Sequence, residues 1–505
     1  MKKLLFTILI ILLCLTSFML ISCEGEEDTT TVKTSEFSIT YELNGGINSV
    51  DNPLTYTKGE IVTLNNPTKD NYYIKGWYTD AAFTNKITEI KDKSENITLY
   101  AKWTPVVTYN INYELNGGTN SGDNPQNYKT GDTVSLAFPE KEYYMFAGWY
   151  TDSALTNEIK EIKDKEESLT LYAKWIPYEE VFEFYVSDGT YVVNGCKIEA
   201  ETLIIPSTYK NLPVTKISNY AFCYLHSLKR IVIPDSIISI GSHSFYKCDS
   251  LESITLPSSL VSFGRAALCE CFSLKNIFVD SNNQNFKSVD GILYSKDGKT
   301  LIRYPQGRKD DTFNIPNGVT TINNNAFSFS LDLKSITIPE GVTLIGDGAF
   351  FGCTSLGNIV IPDTVIQMEA DAFNGCTSLK QVILSNNLEA INNHAFRNCI
   401  ALKSIVIPDS IKSIGYKAFL NCNTLEEVII GNGVTLIGQE AFMDCSSLKS
   451  IVIPDSVTTI RELAFFHCSS LTAYCEAETK PEGWNDKWFS YGTENVVWGY
   501  KGSND

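Results

Sequence analysis

Over the C-terminal part of the chain one arrangement of apolar and polar positions keeps returning. In the copy that begins at Leu448, apolar side chains fall at Ile451, Ile453, Val457, Ile460, Ala464, Phe465 and Cys468, with polar residues between them. The phenylalanine position recurs at Phe222, Phe245, Phe327, Phe350, Phe373, Phe396, Phe419, Phe442 and Phe465, with Leu268 standing in once. Every step is 23 residues except one. A fixed period of this length predicts a solenoid, in which each coil buries its apolar side only against its neighbours. Within a copy, Leu-x-x-Ile-x-Ile alternates as a strand with every second side chain inward. Pro454-Asp-Ser456 ends that strand, since proline has no amide to donate into a ladder. The Ala464-Phe465-x-x-Cys468-x-x-Leu471 spacing predicts a single helical turn packing Phe and Leu back on the core.

Two ends and one interruption break the pattern. Phe182 to Val193 reads as a hairpin centred on Asp188-Gly189, placed to cover the open end of the stack over residues 178–227. From Leu274 to Leu333 is 59 residues, and the extra length holds two short strands about Asp297-Gly298, a hairpin insertion near 280–315. It is either a protruding recognition finger or an elaboration of one coil. Beyond the repeats of 228–473, residues 474–505 carry Trp484, Trp488 and Val496-Val-Trp-Gly-Tyr500, bulky side chains suited to a C-terminal cap.

Before the solenoid the pattern changes to paired copies of a shorter module, 37–105 and 106–177. Tyr41-Glu-Leu-Asn-Gly-Gly46 returns as Tyr113-Glu-Leu-Asn-Gly-Gly118, Gly76-Trp-Tyr-Thr-Asp80 as Gly148-Trp-Tyr-Thr-Asp152, and Leu99-Tyr-Ala-Lys-Trp103 as Leu171-Tyr-Ala-Lys-Trp175, each 72 residues on. Alternation in Phe37-Ser-Ile-Thr-Tyr41 and Ile97-Thr-Leu-Tyr-Ala-Lys-Trp103 predicts strands, with Asn-Gly-Gly as a turn. The fixed place of Trp77, Trp103, Trp149 and Trp175 in the copies assigns them to core packing; a sugar-stacking set is the other reading. The three motifs resemble the Listeria–Bacteroides repeat, a small β-grasp-like module, and that resemblance implies a spacer.

Residues 1–22 read as a targeting segment: Lys2-Lys3, then an apolar run to about Ile21 that is short for a membrane span. Leu20-Ile21-Ser22-Cys23 resembles a bacterial lipobox, which implies that Cys23 is lipidated and anchors the chain. The polar stretch 23–36 predicts a flexible tether. With no sorting motif or apolar tail after the cap, the N-terminal lipid is the one expected membrane attachment.

Composition then removes function classes. A net charge of −18 excludes an electrostatic footprint for nucleic acid. Four histidines lie at no metal-ligand spacing, so neither a metal nor a cofactor is expected. Cys248, Cys271, Cys353, Cys376, Cys399, Cys422, Cys445 and Cys468 share one repeat position, which predicts a buried ladder of free thiols. Carboxylates at Asp235, Glu340, Asp363, Asp409 and Asp455 also recur in register. That regularity predicts turn chemistry, each Asp bonding its own backbone, and argues against a catalytic pair or any enzyme.

The candidate binding face is the outward side of the repeat strand. Val232, Thr255, Thr337, Val360, Ile383, Val406, Ile429 and Val452 point out, beside a second column of Lys229, Lys334, Lys380, Lys403 and Lys449. A β-branched stripe next to a basic row is either a protein-docking surface or simply strand preference. The repeated phrase over about residues 180–500 resembles the BspA-like leucine-rich repeat of bacterial surface proteins. The expected fold is mainly β with short helical turns, a solenoid of about ten 23-residue coils preceded by two small β-grasp-like modules. The resemblance implies an exported, lipid-anchored cell-surface protein that binds protein or glycan on host or neighbouring cells. A self-associating envelope component and a carbohydrate binder are the alternatives.

Overall fold

The computed structural model describes residues 35–489 and 495–502. The leader and Cys23 lie outside the described residues. In the first small module, Glu36–Glu42 runs antiparallel to Thr55–Thr57 and parallel to Ile97–Pro105, which pairs antiparallel with Tyr72–Tyr78. Lys86–Ile87 completes the five-stranded sheet. Alternation puts Ile97, Leu99 and Ala101 inside, together with Trp77. The repeated Asn-Gly-Gly has a specific cause. Asn44 and Gly45 both take left-handed φ (48° and 82°), and a Cβ on Gly46 would sit 2.5 Å from the Trp103 ring. The indole N–H groups end inside the module, Trp77 donating to the Asn65 carbonyl at 3.0 Å and Trp103 to that of Leu43 at 2.8 Å. In the second copy Trp149 and Trp175 do the same to Ala137 (3.2 Å) and Leu115 (2.9 Å). These side chains pack; they form no open stacking platform.

The solenoid winds through about 13 turns, against ten regular copies of the motif, because the caps and the interrupted segment contribute coils of their own. One coil shows the logic. Ser404–Ile407 is the long strand, with Ile405 and Ile407 buried and Ser404 and Val406 exposed. After Pro408 the chain turns to Ser413–Ile414, a short strand, and then to Ala418, Phe419 and Cys422, all fully buried. Burial of a side chain the size of Phe419, Ile405 or Ile407 contributes about 1.5–3 kcal/mol on leaving water. Both strands pair in parallel with the next coil, Val406 opposite Ile429 and Ser413 opposite Leu436.

The Ala-Phe-x-x-Cys segment is not the helical turn its spacing predicts. It is a run of turns with left-handed residues at Lys417 (φ 55°) and Asn421 (φ 63°). Those two kinks free alternate amides to donate to the next coil: Lys417 to the Gln439 carbonyl (3.0 Å), Phe419 to Ala441 (2.7 Å), Asn421 to Met443 (2.9 Å). Among the described residues the helix is confined to Tyr178–Val181. The phenylalanine rings consequently stack face to face, with Phe350–Phe373 centroids 4.9 Å apart and Phe373–Phe396 centroids 5.4 Å apart.

At the interruption the chain makes three antiparallel strands, Phe286–Val289, Ile292–Ser295 and Thr300–Arg303. The hairpin about Asp297-Gly298 is present, and a further one turns at Asp290-Gly291. Thr300–Arg303 then pairs in parallel with Thr321–Ile322, and Tyr304 stacks on Phe327 at 5.3 Å. Tyr304 thus holds the aromatic position of a coil that is 36 residues long. With Ile292, Leu293, Tyr294 and Leu301 buried, the insertion is woven into the stack and does not protrude as a finger.

Both ends are covered. Phe182–Ser187 pairs with Thr190–Cys196 through the left-handed pair Asp188-Gly189, and Phe182 lies edge-on to Phe222. At the other end Trp488 lies edge-on to Phe465, while the Trp484 indole donates to the Val457 carbonyl at 2.9 Å.

Candidate functional site

The long strands form a face whose outward residues are in register from coil to coil. Val360 lies opposite Ile383, Val406 opposite Ile429, and Val452 opposite Tyr474, which in turn faces Val497. Strand spacing sets such neighbours about 4.8 Å apart. About half of the surface of Val360, Ile383, Val406 and Ile429 is open to solvent (56%, 51%, 57% and 51%). The parallel ladder forces this exposure, because the buried partners on either side fix the pleat. Sequence reasoning missed Phe278, paired with Thr255, as well as Tyr474 and Val497. Phe278 follows the inward Ile277 as Val406 follows Ile405, so the repeat carried its signal; Tyr474 and Val497 became part of the column only through strand pairing.

The lysine column differs from its sequence reading. Lys380, Lys403 and Lys449 are exposed and form no ion pair among the described residues. Between Lys403 and Lys449, however, the coil presents Glu426 and Glu427, whose amides both donate to the Lys403 carbonyl (2.8 and 3.3 Å). Lys334 is paired with Asp311 at 3.0 Å and Lys229 with Glu201 at 2.8 Å. The row beside the apolar stripe is therefore of mixed charge, and its exposed pairs contribute little to stability.

Three of the five recurring carboxylates act otherwise than by bonding their own turns. Asp235 accepts from the Ser258 amide (2.9 Å), Asp363 from that of Asn386 (2.8 Å) and Asp409 from that of Asn432 (2.7 Å), each 23 residues ahead. They tie one coil to the next. Backbone and side-chain donation from Asn386 holds the Asp363 carboxyl below the usual carboxylate range.

The cysteines complete the interior stitching. Each thiol of the column donates to the phenylalanine carbonyl 26 residues earlier, as Cys422 does to Phe396 (3.1 Å) and Cys445 to Phe419 (3.3 Å). All of the described cysteines are free. Burial pushes the thiols of Cys353, Cys422 and Cys468 up to about 12, so they are protonated and inert as nucleophiles. Among the described residues no group of three or more His, Cys, Asp or Glu side chains is arranged to hold a metal ion, and no helix is long and apolar enough to cross a membrane.

Comparison with known proteins places this geometry. The profile of the family described as BspA type leucine rich repeat region (6 copies) matches residues 189–290, 307–426 and 343–472, together more than half of the chain. The Listeria-Bacteroides repeat domain matches 37–102 and 109–174. Two proteins of Evansella cellulosilytica bearing membrane-protein names, one of them described as Gly-rich, are 33% and 36% identical over 169 and 142 residues. Those stretches span 33% and 28% of this chain but 24% and 16% of the relatives' lengths. Among solved structures, a leucine-rich repeat protein of Eubacterium ventriosum is 22% identical, with 62% of this chain and 97% of that one covered at a TM-score of 0.46. The pneumococcal vaccine antigen PcpA is 25% identical, with 60% and 68% covered at a TM-score of 0.45. Overlays this loose add no weight to what the profiles and the coil geometry establish. The chain belongs to the BspA-type leucine-rich repeat family and carries two Listeria-Bacteroides repeat domains ahead of its solenoid.

Proposed function

We propose that this chain is a cell-surface protein that binds a macromolecular partner through the long-strand face of its solenoid and performs no chemistry itself. The observation that carries the reading is the column of exposed Val360, Ile383, Val406, Ile429 and Val452, with Val360 paired to Ile383 in one long-strand sheet and Val406 to Ile429 in the next. An apolar stripe rimmed by charge is a surface that gains by being covered. Thiols held protonated and carboxylates committed to inter-coil bonds leave the repeat with structural chemistry, which agrees with a binding role. The membrane-protein names of the relatives support placement at a membrane. For this chain we assign attachment to a lipid on Cys23, with 23–36 as tether and the two small modules as spacers between anchor and solenoid. The partner is a protein or glycan of a host or neighbouring cell.

Binding to a panel of matrix proteins and a glycan array, alongside sizing at increasing concentration, separates adhesion from carbohydrate binding and from self-association. Reversing Lys380, Lys403 and Lys449 together to Glu is expected to weaken partner binding about ten-fold while the melting curve stays in place. Unchanged affinity would remove the lysines from the contact. Incorporation of labelled palmitate that disappears in Cys23→Ala tests the anchor separately.

A further inference from the structure

The interrupted coil buries a charge that no carboxylate of the described residues neutralises. Arg303 is 4% exposed. Its guanidinium donates to the Asn325 carbonyl, to the Ser328 hydroxyl at 2.9 Å and to the Leu268 carbonyl at 3.1 Å and lies within hydrogen-bond reach of the Cys269 thiol, while its Nε has no partner among the described residues. No carboxylate pairs with it among the described residues. The neighbouring thiols of Cys271 and Cys353 are pushed up to about 12 by burial and supply no countercharge. An ion buried in this way costs several kcal/mol unless an opposite charge joins it.

Beside Arg303 lies a cavity of about 240 Å³ lined by residues 263–268, 302–303 and 323–324. It opens where the short-strand sheet is broken, for Ser262–Phe263 ends one sheet and Phe286–Val289 begins the next. The break strands backbone donors. His243 and Phe245 donate their amides to the next coil at Arg265 and Ala267 (3.1 and 2.8 Å), but the equivalent amides one coil on, at Ala266 and Leu268, donate to no group of the described residues. Arg265, half exposed and paired with Asp347 at 2.5 Å, lines the same cavity. A buried guanidinium, a second arginine and two unused amides around one opening make an anion cradle.

We propose that this pocket binds a single oxyanion, carried by a free sulfate or phosphate or by an acidic sugar, with Arg303 as its buried counter-ion and Arg265 at the mouth. The site is separate from the long-strand face and stands or falls independently of it. Equilibrium dialysis of the full chain against labelled sulfate, phosphate and glucuronate tests it and distinguishes the sources. One saturable site per chain is expected for at least one of the three. Arg265→Gln, a substitution at a half-exposed position, should weaken that site about ten-fold. Arg303→Met should abolish it, with circular dichroism confirming the fold; if that variant does not fold, Arg265→Gln alone decides. Absence of saturable binding for all three anions, or binding that Arg265→Gln leaves unchanged, would overturn the proposal.

Discussion

The regular coils from Phe327 to Phe465 and the interrupted coil from Leu268 to Tyr304 close the same stack by different means. In the regular stretch, backbone amides of the turns donate to the following coil and thiols donate to the preceding one. The aromatic rings there stay nearly parallel, 1° apart at Phe373–Phe396. At the interruption the spacing is 36 residues, and although the Gly307 amide still donates to the Leu274 carbonyl (2.7 Å), the amides of Ala266 and Leu268 find no partner among the described residues. Side chains take over: Gln306 accepts from the Cys271 amide (2.8 Å) and donates to the Ser328 carbonyl (2.5 Å), while Arg303 reaches back to Leu268. Equal coil length is what lets a solenoid repeat the same inter-coil bonds in every coil. A longer coil needs polar side chains in the core, and one of these brings an unpaired charge.

The contrast can be broken most severely in the regular stretch. Phe396→Ala removes a ring stacked on both sides and is expected to cost about 3–5 kcal/mol in denaturant unfolding, with Leu268→Ala at the lower end of about 2–5 kcal/mol. Equal losses would show that the ring stack adds nothing beyond burial. Next comes the side-chain bridge. Gln306→Leu leaves a buried amide and carbonyl without partners, an expected loss of about 1–3 kcal/mol, and a neutral result would mean that the break is not held by this residue.

A pH titration sharpens the comparison further. The buried thiols of Cys353 and Cys422 have folded values raised to about 12, against an unfolded value of about 8.5, and burial raises Cys399 in the same direction. Their contribution is therefore complete below about pH 8.5 and declines as pH rises toward 12. The melting temperature should fall over that alkaline window, and Cys399→Ala with Cys422→Ala should flatten the fall; an unchanged slope would count against thiol burial as its source.

Much of this was legible in the chain itself, for a physical reason. A period of 23 residues exposes every interaction that repeats, so the strand, the phenylalanine column, the thiol ladder and the outward stripe all follow from one copy. Features that occur once do not. Tyr304 is hidden by the longer spacing, and the Arg303 and Gln306 bridges join residues 35 apart that no pattern links. The turn at Lys417–Cys422 was misleading because apolar spacing of three and four suits a helix; Lys417 gives no sign of its left-handed φ, whereas Asn421, with Gly352, Gly375 and Asn398 at the same repeat position, is of a type that tolerates it. The bonds of Asp363 and Asp409 depend on how neighbouring coils face each other, whereas Glu426, 23 residues after Lys403, stood in the lysine column of the sequence itself.

The most direct test of the functional account is the affinity of the panel ligand bound by the wild-type chain for the double variant Ile383→Asp with Val406→Asp. Both side chains are half exposed, so the fold should survive. The account predicts an affinity loss of about ten-fold or more with an unchanged unfolding midpoint. Undiminished affinity in a folded double variant would contradict it and move the contact away from the long-strand face.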